Sequence, residues 1–262
     1  GATIAFAMEC FEKGIITQQV TGGIDLKFGN TKAMLAVLDQ IVNKSTPFGE
    51  LLSLGSARVA KQWGAEAEKC LITVKNEEAP AHMPQVKKVL ALIYAVNAFG
   101  ADHQSSEHDW MYEEGTAELY LERLALMGLT NPPPAGDFGP EKVKFGTLSH
   151  IFYSLLDTLT ICQFVWGPAW TLYGPTETVE LVRAATGWDV SLEELLQAGE
   201  RRLNMMRVFN LREGFSRKDD KLPAKFFEPL KGAGPSAGVA VDKDLLELAI
   251  DQHYGALNWN LE

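Results

Sequence analysis

The chain has 262 residues, 46% of them apolar and 22% charged, an ordinary globular composition that excludes a disordered, collagenous or disulfide-rich protein. Lys and Arg number 24 against 34 Asp and Glu, and the formal charge of -10 excludes a broad basic footprint for nucleic acid or acidic lipid headgroups. The apolar runs 89–96 and 162–166 fall short of the roughly 18 residues a membrane span needs, so a soluble protein with no membrane partner is expected.

Apolar residues recur at about a 3.6-residue spacing along most of the chain, which predicts an all-α fold. Gly1-Ala2-Thr3-Ile4 has no initiator Met and enters a helical pattern directly, as a fragment cut near the start of an element would. Thr31 is placed to cap a helix that buries Met34, Val37, Leu38, Ile41 and Val42 and ends before Pro47. From Phe48 to Trp63 the stripe Leu51, Leu52, Val59, Ala60 and Trp63 predicts another, closed by Gly64. Pro84 suits the first turn of a helix through Val89, Leu90, Ile93 and Val96 to near Gly100. A short amphipathic helix from Glu114 to Met127 closes at Gly128, and the prolines 132–134 then lack the amide donors regular structure requires. From Phe145, Ile151, Phe152, Leu155, Leu156 and Leu159 predict a deeply buried helix to Cys162, stopped by Gly167-Pro168. Pro175 starts the next. Ser191-Leu192-Glu193-Glu194 is a capping box for a helix to about Asn210. Charged and glycine-rich loops, 212–220 and 231–238, precede a last helix from about Asp242. The strand-like pieces 24–28 and 71–74 are short enough for a small appendage only.

No glycine-rich phosphate loop, GxSxG elbow or CxxC pair occurs, so the enzyme classes those motifs mark lack their signature. Cys10, Cys70 and Cys162 are too few and scattered for a disulfide framework, and a reducing cytoplasm is the default. On local pattern all three read as core residues. The segment 97–109 sets His103 and His108 among Asp102, Glu107 and Asp109 just beyond a hydrophobic helix. A histidine there titrates near neutrality, and Asp102 or Glu107 would stabilise its charged form. Were the segment helical, His103 and Glu107 would share a face as candidate metal ligands; the alternative is a polar helix cap in solvent. Asp157 stands inside an apolar helix, where an ionised carboxylate needs a cation, ligand donors or backbone amides. Asp189, Asp219 and Asp220 read as solvated turn residues, the arginines from Arg201 to Arg217 as a salt-bridged surface, and the tryptophans as packing anchors.

The stretches Ala184-Ala185-Thr186-Gly187-Trp188-Asp189, Ala198-Gly199-Glu200-Arg201 and Phe209-Asn210-Leu211-Arg212-Glu213-Gly214-Phe215-Ser216-Arg217-Lys218-Asp219-Asp220-Lys221-Leu222-Pro223 strongly resemble the C-terminal region of the tungsten-dependent aldehyde ferredoxin oxidoreductase family. Ile4-Ala5-Phe6-Ala7-Met8-Glu9-Cys10, Leu26-Lys27-Phe28-Gly29-Asn30 and Glu78-Ala79-Pro80-Ala81 are similar to it too, so the resemblance covers nearly the whole chain.

The resemblance implies two helical subdomains, 1–140 like the family's domain 2 and 141–262 like its domain 3, without the N-terminal pterin-binding domain. It implies a tungsten (or molybdenum) bis-pterin and a four-iron four-sulfur (4Fe-4S) cluster in the intact enzyme, both absent from the isolated fragment. Aldehyde oxidation with electron transfer to ferredoxin or a similar carrier follows from the same likeness. The family's DxxGLC motif corresponds to Asp157-Thr158-Leu159-Thr160-Ile161-Cys162. By that match Asp157 and Ile161 belong to the pterin-binding stretch, Asp157 hydrogen-bonds a pterin and Cys162 is the fourth cluster ligand, with Thr160 and Ile161 replacing the motif's Gly and Leu. His103, at the place of a family histidine near the metal, is the implied general acid/base. The fragment alone is expected to be inactive, and apolar surface stripped of its missing wall is expected to favour a homodimer. Two alternatives stand beside this reading. One is a related low-potential reductase of the aromatic acyl-CoA type. The other is a non-catalytic scaffold, in which Asp157 and Cys162 are solvent-shielded and no cavity is shared with His103.

Overall fold

The helical periodicity is realised almost throughout the computed structural model, which describes residues 1–166 and 170–260. The expected stop at Gly167-Pro168 lies outside the described residues. Packing divides the chain into two units, one of Gly1–Pro80 with Pro223–Lys225 and one of Ala81–Leu222 with Phe226–Glu262.

The first unit holds α1 (Ala2–Glu12), α2 (Thr31–Asn43), α3 (Pro47–Leu52), α4 (Ser56–Trp63) and α5 (Ala65–Glu68). A two-stranded antiparallel ribbon, β1 (Thr73–Val74) and β2 (Glu77–Glu78), is the only sheet among the described residues, and the piece 24–28 forms no strand. Its core joins Ile4, Phe6, Met8, Leu26, Val37, Phe48 and Val59, with Cys10 and Cys70 buried among them. Trp63 stacks on Phe6 at 5.6 Å between ring centres.

Two expectations change here. Asn30, not Thr31, caps α2 by accepting the Ala33 amide, and of the expected stripe only Val37 is fully buried. Met34, Leu38 and Val42 are exposed because the core covers only the Ala33–Val37 side, where the Cβ-less Gly49 brings α3 against the Gln40 backbone. The segment 48–63 breaks into α3 and α4 because Gly55, at φ +86, turns the chain between them.

In the second unit α6 (Lys88–Val96), α11 (Leu192–Arg212) and α12 (Lys243–Ala256) pack against the long α8 (Pro140–Thr158). The unit also holds α7 (Glu118–Ala125), α9 (Gln163–Trp166) and α10 (Pro175–Thr186). Every residue of α6 from Val89 to Val96 is buried, and a helix apolar all round needs cover on every side. Helices α8 and α12 supply it. The predicted capping box is present: Ser191 Oγ accepts the Glu194 amide at 3.2 Å while Glu194 accepts the Ser191 amide at 2.8 Å.

Three further readings are corrected. Helix α6 ends at Val96 rather than Gly100, and α8 ends at Thr158 rather than Cys162. Asp220 is no solvated turn residue; it is fully buried, paired with Arg207 at 2.8 Å and hydrogen-bonded by Tyr254. No helix among the described residues is long and apolar enough to cross a membrane.

Candidate cofactor-facing site

Helix α8 closes with the hydrogen bonds of a Schellman turn: the Thr160 amide donates to Asp157 O at 3.0 Å and the Ile161 amide to Leu156 O at 2.9 Å. That turn needs a left-handed residue, and Thr160 supplies it at φ +58 although it is β-branched. The turn a glycine would favour is therefore kept without the glycine. It carries Ile161, half-buried, and Cys162, an exposed free thiol. Asp157 is not buried as its sequence surroundings imply. Its side chain is 49% exposed, and Arg202 of α11 meets its Oδ2 at 3.0 Å. The reason is its place in the final turn of α8, where the core on either side has ended. A scaffold would keep Asp157 and Cys162 shielded; both are open to solvent.

The segment expected to be a helix or an exposed cap is an irregular, largely buried loop, so His103 and Glu107 do not share a helix face. Asp109 carries its anchoring. It accepts the amides of Lys88 and Val89 at the start of α6, at 2.9 and 3.1 Å, and faces the fully buried Lys142 at 3.7 Å. Burial pushes the Asp109 carboxyl up while Lys142 and the amides pull it down. Asp102 is occupied within the loop: Ser105 Oγ donates to it at 2.6 Å and the Gln104 amide at 3.1 Å. Glu107 accepts from the Tyr153 hydroxyl, and burial together with that carboxylate holds the tyrosine's proton far above its ordinary range.

His103 stacks on His82 at 4.3 Å between ring centres, with His108 tilted at 6.1 Å. Lys87 lies 2.8 Å from His108 Nδ1. An ammonium only donates, so Nδ1 is the acceptor and Nε2 carries the hydrogen given to His103 O at 3.1 Å. Burial lowers the His108 pKa to about 4, with the Lys87 charge adding to the effect, so the ring is neutral near pH 7. His82 is also lowered, by burial first and then by the His103 and Lys87 charges.

Two contacts bring the His103 loop beside the end of α8. Gln163, next to Cys162, donates to the carbonyl of Gln104, next to His103. Ser105 and Asp157 line one small cavity with Asn97, His150, Tyr153 and Arg202; His103 and Cys162 are not in its wall, which is the arrangement the scaffold alternative expects. The sequence reading missed His82, Lys87 and Tyr153, and it placed Arg202 in a salt-bridged surface without naming Asp157 as its partner. For His82 and Lys87 no local pattern exists, since their partners come from another segment. Arg202 carried a readable signal, for it stands three residues after Gly199 on the face of α11 that α8 covers.

The chain is thus mostly helical, with Asp157 and Cys162 open to solvent at one helix end beside the loop that carries His103. The family model described as aldehyde ferredoxin oxidoreductase, domains 2 and 3, matches residues 1–262, and the chain belongs to that family. It is 30% identical to a tungsten-containing aldehyde ferredoxin oxidoreductase of Pyrococcus horikoshii, over 99% of this chain and 40% of that protein. A protein of the same description from Thermococcus kodakarensis is also 30% identical, over 99% of this chain and 39% of its own length. An aliphatic sulfonate oxidoreductase, WOR-like subunit, of Pyrococcus furiosus is 28% identical, over 99% of this chain and 37% of that protein. The chain thus spans about 40% of the length of the aldehyde-oxidoreductase relatives.

Proposed function

We propose that this chain is the helical part of a tungsten (or molybdenum) bis-pterin, iron–sulfur oxidoreductase that converts aldehydes to carboxylic acids and passes electrons to ferredoxin or a similar carrier. The observation that carries the reading is the end of α8, where a tight turn displays Asp157 and Cys162 together next to the His103 loop. Exposed Phe164 and Val165 follow the thiol, an apolar rim suited to being covered.

The residues fit a share of such a centre. Among the described residues no group of three or more His, Cys, Asp or Glu is arranged to hold a metal, and Cys162 offers one thiolate where an iron–sulfur cluster takes several. In this reading the rest of the ligands come from outside this chain, and the chain by itself is inactive. When bound, the pterin-held metal supplies the two-electron oxidation. Arg202 holds Oδ2 of Asp157, and the half-exposed carboxylate would accept pterin N–H groups. Cys162 would be one ligand of the cluster. Oxidation of an aldehyde by water releases protons as well as electrons, and the His103 imidazole is the group that takes one of them. Three free cysteines suit a reducing cytoplasm, where we place the enzyme.

The test is aldehyde-dependent reduction of a viologen dye by the full-length protein. Reduction that falls by about 100-fold or more in His103→Asn supports the reading. Failure of any aldehyde to reduce the dye, with metal and cluster present, overturns it.

A further inference from the structure

The cavity bordered by α6, α8 and α11 has about 10 Å³ of room, the smallest space that takes one water. Its wall is polar. Asn97 Oδ1 and His150 Nδ1 are both buried, both belong to residues lining the cavity, and neither has a hydrogen-bond partner within the protein. Leaving two such atoms dry is costly, since each forfeits its hydrogen bond to water on folding.

The orientation of the Asn97 amide follows from its neighbours. Ser105 has one hydroxyl hydrogen and gives it to Asp102 Oδ2 at 2.6 Å, a carboxylate oxygen that can only accept. Ser105 Oγ must therefore accept from Asn97, whose Nδ2 stands 2.9 Å away. A flipped amide would set oxygen against oxygen, so the unsatisfied atom is the carbonyl oxygen and it requires a donor. His150 does not reach it directly. A single water in the cavity would supply that donor and have capacity left for His150.

We propose that this cavity is a built site for one water, and that Asn97, held between that water and Ser105, is a positioning residue for the loop that carries His103. The chain of contacts runs from His150 on α8 through the water to Asn97 at the end of α6, then through Ser105 to Asp102, the residue before His103. The loop is thereby keyed to two buried helices through one solvent molecule. The positioning role rests on the proposed part of His103; the water site does not.

A crystal structure of the full-length enzyme at atomic resolution tests the site. A water within about 2.6–3.2 Å of both Asn97 Oδ1 and His150 Nδ1 is expected. An empty cavity, or a direct Asn97–His150 hydrogen bond, overturns the proposal. For the positioning role, Ser105→Ala cuts the chain at the loop end by removing the acceptor of the Asn97 amide, and it is milder than any change at the fully buried Asn97. Its kcat is expected to fall about tenfold with KM unchanged, less than the loss with the acid/base itself. In His103→Asn the same change is expected to cost nothing further. Equal losses in both backgrounds, or no loss in Ser105→Ala, overturn the positioning role. Full turnover in His103→Asn alone refutes the acid/base reading instead, and the water density then stands apart from it.

Discussion

Thr160 occupies a left-handed conformation, φ +58, that costs an L-residue about 1–2 kcal/mol and a glycine almost nothing. Thr160→Gly is therefore expected to raise the unfolding free energy by about 1 kcal/mol, read from the midpoint of denaturant unfolding at unchanged slope. A destabilised variant would mean that the threonine side chain contributes more than its backbone costs. The buried histidines define a second residue-scale property. Burial lowers His150 to about 4 and His253 to about 3, from an ordinary value of 6.5. Between the folded and ordinary values only the unfolded chain takes up the proton, so stability is complete above pH 6.5 and lost as pH falls toward 4. Each such histidine contributes a slope of about 1.4 kcal/mol per pH unit in that window. Unfolding free energies measured across it should fall with acid, and less steeply in His253→Gln; a flat profile would contradict the assignment. The glycine position that Thr160 fills was legible in sequence, whereas burial of the acids was not, because Asp157 and Asp220 each have surroundings that point the wrong way. Asp157 follows apolar neighbours yet is half exposed at a helix end, and Asp220 sits in a charged loop yet is fully buried by Arg207 and Tyr254.

Among the elements, those whose signal is local were readable. The capping box at Ser191, Pro175 at the start of α10 and Asp242 capping α12 each act within one turn, so neighbouring letters suffice. Packing was not readable: the apolar stripe of α2 predicts a buried face that the core leaves largely uncovered. The α8–α11 contact separates the two kinds of information. A Cβ at Gly199 would lie 2.3 Å from the Ile151 carbonyl oxygen, and the helix backbones would have to part. Gly199→Ala, a gain in helix propensity, is expected to destabilise by about 2–3 kcal/mol, whereas Ser191→Ala loses about 1 kcal/mol with its cap. Thermal unfolding of the two variants side by side checks the order. If Gly199→Ala is neutral, the close approach of α8 and α11 is wrong.

For the whole molecule, chain order and composition establish a helical protein, but only the ordered similarity to a known family points to the hexapeptide from Asp157 to Cys162. The structure adds what similarity leaves out: the turn survives without its glycine, Arg202 orients the acid, and the Gln104–Gln163 contact brings the His103 loop alongside. The central claim is that the thiol ending this turn grips a prosthetic group. Iron content per chain of the purified full-length protein, compared between wild type and Cys162→Ala, tests it most directly. A large loss of iron in a variant that folds with unchanged helical content is the predicted result; iron at the wild-type level would contradict the claim.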